Sequence, residues 1–182
     1  MAFFEPLNTP PANFDRERIP NPWEEGLGQT VFSDVDLARG AHGALLLRSL
    51  IVFPKVMTLS VVALLRHPLV QGPGTRGHNS PTFGHSFSDA PLGTGVVLFG
   101  LRFSDGSCYR NLDERGSAGH LGGLQGGSRG FTGYKDFWAP LPPPSELEVW
   151  VAWPAAQIPE TRTVLDASLI RETAAALEPP WA

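Results

Sequence analysis

Apolar and polar positions alternate with a period of two along most of the patterned chain. From Val56 to Arg66, one face carries Met57, Leu59, Val61, Ala63 and Leu65. The other carries Val56, Thr58, Ser60, Val62, Leu64 and Arg66. One apolar face and one mixed face is the pattern of a half-buried strand. Leu45, Leu47, Ser49, Ile51 and Phe53 form the matching face of the preceding run, with Pro54-Lys55 between the two. Proline presets φ at the second position of a turn, so the spacing predicts a hairpin. One buried helix over 44–66 is the rival, but Pro54 in its middle would cost about 3 kcal/mol.

The same period returns over 95–111, where Val97, Phe99, Leu101 and Phe103 share a face. Asp105-Gly106 then predicts a hairpin through a type I′ turn, with Cys108 to Arg110 as the return strand. Over 146–153, Leu147, Val149, Val151 and Trp153 point one way, and Glu146, Glu148, Trp150 and Ala152 the other. Pro142 to Pro144 and Pro154 bound this strand sharply. Weaker strands are expected at Val31 to Val35, Tyr134 to Ala139 and Thr161 to Leu165.

Only one segment reads as a helix. Leu169, Ile170, Thr173, Ala174 and Leu177 fall at helical spacing, Asp166 or Ser168 can cap the start, and Pro179-Pro180 ends it. Trp153 is expected in the core. Trp150, on the opposite face, is expected to be covered by the helix, because Leu169, Ile170 and Leu177 need a partner.

About seven strands and one helix predict a mostly β fold: an antiparallel β-sandwich, jelly-roll or Ig-like, with a closed barrel as the alternative. Residues 29–182 form this domain, with the helix at about 167–178. Residues 1–28 form a Pro-rich N-terminal arm (Pro6, Pro10, Pro11, Pro20, Pro22). Phe3, Phe4, Phe14 and Trp23 are unusual in such an arm and are expected to pack on the domain or on a partner.

Composition narrows the function. The 182 residues are 18% charged, below the usual share of about 25%. The net charge is −4, and the 14 basic residues form no stripe, so nucleic acid is not an expected partner. No long apolar run is free of charge, so no membrane span is expected. The single cysteine, Cys108, has no disulfide partner in the chain, which favours a reducing, cytoplasmic compartment.

Two long loops remain, 67–94 and 113–133. His78 and His85 in the first and His120 in the second are the candidate metal ligands. Three histidines on two loops could hold a water-activating zinc. Their spacing matches no H-x-H or H-E-x-x-H pattern, so solvated loop histidines, no bound metal and no cofactor are expected. Within the glycine-rich run 116–130, the stretch Gly119 to Gly130 is not a phosphate loop, because G-x-x-x-x-G-K-[ST] is absent. The glycines of the run cost entropy to order, so the run is expected to be mobile and not a structural element. No G-x-S-x-G elbow surrounds Ser80, Ser86 or Ser117, and no catalytic residue is assigned.

The run Tyr134 to Trp153, with W-A-P-L-P-P-P and a strand ending in W-P, and the stretch Gln157 to Asp166, with I-P-E-T-R, follow the glycine-rich segment. Together they resemble a group of uncharacterised actinobacterial proteins. The resemblance implies no activity and no residue roles. Glu160, Arg162 and Asp166 in that stretch are explained by a turn, a local ion pair and a helix cap.

The expected function is a non-catalytic binding module that uses loops on a rigid sandwich to hold another protein. The alternatives are a hydrolase-like enzyme with a loop metal, and a structural component of a larger assembly whose arm straps onto a neighbour.

Overall fold

In a computed structural model, the chain forms two antiparallel sheets and one helix. The structure describes residues 3–4, 21–67, 81, 83, 96–111, 121–129 and 131–177. The larger sheet contains β1 (Gln29–Arg39), β2 (Gly43–Val52), β3 (Val56–Leu65), β6 (Gly122–Arg129) and β7 (Thr132–Pro140), in the order β1-β2-β3-β7-β6. The smaller contains β4 (Leu98–Phe103), β5 (Cys108–Arg110), β8 (Glu146–Trp153) and β9 (Ile158–Asp166), in the order β5-β4-β8-β9. The mostly β sandwich expected from the alternation is therefore what the chain forms, in place of a closed barrel.

The inner faces of the two sheets share one core. Met57, Leu59, Val61 and Ala63 of β3 are fully buried, as are Phe99 and Leu101 of β4 and Leu147, Val149 and Trp153 of β8. Phe99 stacks on Phe137 of β7 across the sandwich, with ring centroids 4.8 Å apart. At one seam, Thr163 of β9 donates its hydroxyl to the carbonyl of Leu37 in β1, 3.4 Å away.

The period of two breaks in β2. Leu45 and Leu47 face the core, but the register against β3 shifts between Leu47 and Ser49. This bulge absorbs Arg48, so Leu50 and Val52 are buried in place of Ser49 and Ile51. The shift of phase puts Leu50 in the core where the unbroken period would have put the Ser49 hydroxyl. The Pro54 turn closes the hairpin as predicted, with Phe53 N–H donating to the Val56 carbonyl at 2.8 Å.

The Asp105-Gly106 hairpin also differs from its predicted form. Gly106 has φ +87°, but Asp105 is not left-handed. Phe103 N–H donates to the Ser107 carbonyl, and Gly106 N–H to that of Phe103. This is a three-residue loop ending in a left-handed glycine, not a two-residue type I′ turn. The Asp105 side chain accepts from Ser107 N–H at 2.8 Å and holds the loop closed.

The glycine-rich run 116–130, expected to be no structural element, contributes β6. Gly122, Gly123, Gly126 and Gly127 pair with Trp138, Phe137, Lys135 and Tyr134 of β7. Ladder bonds join backbone groups and need no side chain, so the already ordered β7 edge offsets part of the entropy of ordering glycine. Leu121, fully buried, anchors the start of the strand.

The helix α1 (Ala167–Ala176) starts at Asp166, whose carboxylate accepts from Ser168 N–H at 2.8 Å. It buries Ala167, Ile170 and Ala174 against β1, β2 and β8, while Leu169 is 42% exposed. It does not cover Trp150. Among the described residues, no helix is long and apolar enough to cross a membrane.

Candidate functional site

The outer face of the smaller sheet is a layer of charged and aromatic side chains. Register places them in rows across the strands. Arg110 of β5, Gly100 of β4, Trp150 of β8 and Arg162 of β9 form one row. Cys108, Arg102, Glu148 and Val164 form the next.

Glu148 is the electrostatic centre. Oε2 accepts from Trp150 Nε1 at 2.8 Å and from Arg102, while Oε1 accepts from Arg162 Nη1 at 2.9 Å. Burial pushes the Glu148 carboxyl up, but the hydrogen bonds from Trp150 and Arg102 and the charges of Arg102 and Arg162 outweigh it and hold it below the usual range. The Arg102 guanidinium also lies 5.0 Å from the centre of the Trp150 ring, within cation–π range. Glu148 and Arg102 thus fix the orientation of the indole, and Arg162 holds Glu148 in place.

Phe3 and Phe4 of the N-terminal arm occupy this face. The Phe3 ring stacks on Trp150, with centroids 5.1 Å apart and planes 1° from parallel. It fills the space that a side chain at position 100 would take. A Cβ on Gly100 would overlap the Phe3 ring, its Cζ atom lying 2.9 Å away. Phe4 packs edge-on against Phe3 at 5.0 Å. The backbone is held as well. Phe3 N–H and Phe4 N–H donate to the two carboxylate oxygens of Glu160, at 2.8 and 3.2 Å. Arg110 Nη1 donates to the Phe3 carbonyl at 3.3 Å.

The contacts expected of Phe3 and Phe4 are therefore present. Phe14 lies outside the described residues, as does the side chain of Trp23. Trp150, expected to lie under the helix, is half-buried under the arm instead. The helix packs instead on β1, β2 and β8 through Ala167, Ile170 and Ala174, and Leu169 is left facing out. Arg162 and Asp166 take the ion-pair and cap roles their types suggest, but Glu160 clasps the arm where a turn was expected.

His78, His85 and His120 all lie outside the described residues. Among the described residues, no cluster of three or more His, Cys, Asp or Glu side chains could hold a metal ion. Cys108 sits half-buried on the outer face of β5, its thiol 3.5 Å from the Gly106 carbonyl. On the inner face, burial and the nearby Asp105 and Cys108 push the Tyr109 hydroxyl up to about 12.

Gly100, Arg102, Arg110 and Glu148 were not singled out by sequence reasoning. One signal was available: a glycine in the middle of an otherwise bulky strand often marks close approach by another chain segment. The chain matches no known family model, and no characterised protein or solved structure is significantly similar to it.

The ion-pair layer has a pH signature. Because Glu148 titrates below its unfolded value, its contribution is present above the ordinary carboxylate range and is lost as pH falls through the folded value. Glu148→Gln should therefore flatten the acid side of the stability profile. Denaturant melts between pH 7 and pH 3 check this. Parallel profiles for the two proteins would show that the Glu148 charge is not coupled to folding.

Proposed function

We propose that this protein is an interaction module that holds a polypeptide segment on the outer face of its smaller sheet. The carrying observation is the seating of Phe3 and Phe4. An aromatic platform, a glycine-floored slot, a carboxylate for two adjacent N–H groups and an arginine for a carbonyl all converge on one short peptide. Exposed aromatic and arginine side chains are the residue types enriched at protein contacts. This reading keeps the binding role expected from the missing catalytic motifs, the long loops and the aromatic arm, and assigns it to the sheet face instead of the loops. The lone cysteine favours action in the reducing cytoplasm.

The test compares two baits in lysate of the native host: the full chain and its Trp150→Ala, Glu160→Lys variant. A partner captured by the first and lost by the second supports the reading. Partners held equally by both place binding elsewhere and overturn it.

A further inference from the structure

The arm is one part of the chain placed against another, and what it touches describes a ligand. We infer that this face reads a peptide turn carrying two adjacent aromatic residues, and that Phe3-Phe4 is an in-cis occupant which a partner must displace. The inference rests on the interaction reading above and adds the chemistry of the partner.

Each contact selects something. The slot between Trp150 and the Gly100 backbone is planar and accepts a ring lying parallel to the indole. Aromatic stacking of this kind contributes beyond the area it buries. The second ring meets the first edge-on, at 87°. Glu160 takes both N–H groups with one carboxylate, so the two residues must form a turn and neither can be proline. Charge-assisted bonds to a carboxylate also disfavour an acidic side chain at either position. Arg110 fixes the polarity of the peptide through the first carbonyl. Nothing in this set needs the occupant to belong to the same chain.

Linkage gives the resident segment its advantage. Sixteen residues, 5–20, join Phe4 to Asn21. A tether of that length gives an effective concentration in the millimolar range. A free peptide of equal intrinsic affinity therefore competes poorly until the resident rings are removed. A partner succeeds by binding better or by presenting several copies.

The probe is acetyl-Ala-Phe-Phe-Glu-Pro-amide, which copies residues 2–6. It is titrated into the full chain and into the Phe3→Ser, Phe4→Ser variant. Binding is followed by the NMR shifts of the Gly100 amide and the Trp150 indole N–H. The variant should bind saturably, and the wild type about tenfold or more weakly. A peptide with both Phe replaced by Ser, or with the second Phe replaced by Pro, should cause no shift. As a second variant, Glu160→Lys with the arm intact should free the Trp150 indole from Phe3 and bind no peptide. No saturable shift in the folded Ser variant, equal binding by wild type and variant, or equal binding of the Ser peptide would overturn the inference. If the Ser variant ignores the peptide yet still captures a Trp150-dependent partner from lysate, the aromatic-pair chemistry falls and the interaction reading stands. If it does neither, both fall.

Discussion

Trp153→Ala is expected to lower stability by about 3–5 kcal/mol, the range for truncating a fully buried tryptophan. Trp153 ends β8, is 0% exposed and is the largest side chain in the core. Its ring reaches across the sandwich to Gly43 of β2, with Cζ3 3.0 Å from where a Cβ would stand. Removal opens a cavity that two sheets tied by backbone ladders cannot collapse to fill. Among the described residues, the indole N–H has no hydrogen-bond partner. Trp153→Phe should therefore cost much less than the alanine variant, because it keeps most of the ring and deletes an unpaired donor. Urea melts of the two variants decide the matter. A loss under about 1 kcal/mol for the alanine variant would mean that the site repacks and that Trp153 is not a keystone of the core.

Asn111→Leu should be nearly as damaging, for an unrelated reason. Asn111 is the one buried polar residue among the described residues, at 2% exposure. Its Oδ1 accepts from Phe99 N–H at 3.0 Å, and its Nδ2 donates to the Val97 carbonyl at 2.8 Å. The side chain thus replaces a neighbouring strand where β4 begins and β5 has already ended. Leucine matches the size but leaves two buried backbone groups unpaired, each costing about 1–3 kcal/mol. The total expected loss is about 2–6 kcal/mol. Asn111→Asp separates the two bonds, since its carboxylate can still accept from Phe99 but cannot donate to Val97. Thermal melts should rank wild type above Asp and Asp above Leu. A leucine variant as stable as wild type would mean that water reaches these groups.

Much of the fold was legible because alternation reports burial directly. Val97 to Phe103, Met57 to Leu65 and Leu147 to Trp153 each show the inward face that their pattern announces. The failures have three physical causes. Arg48 shows that a bulge reverses the phase of a strand, which a fixed period cannot express. Gly122 to Gly127 shows that pairing to an ordered edge can recruit residues with no strand preference of their own. Trp150 shows that the cover of a face can come from residues far away in sequence, and no local pattern links Phe3 to Glu160. The candidate site was hidden for that last reason. Its parts lie on four strands and an arm, and only the register aligns them.

The order of strands also sets a sequence of events during synthesis. β1, β2 and β3 pair with their immediate neighbours and can form as soon as they emerge. The far edge of β3 must wait for β7, with which it pairs from Val56↔Pro140 to Leu64↔Thr132. At ordinary elongation rates that wait lasts about 4–15 s. For this interval a ten-residue strand, VMTLSVVALL, without a single charge presents open backbone to any neighbouring nascent chain. Such long-range closure is also slow in itself. The newborn protein is thus most exposed to aggregation between the third strand and the seventh, and protection over that window is the demand its topology places on the cell that makes it.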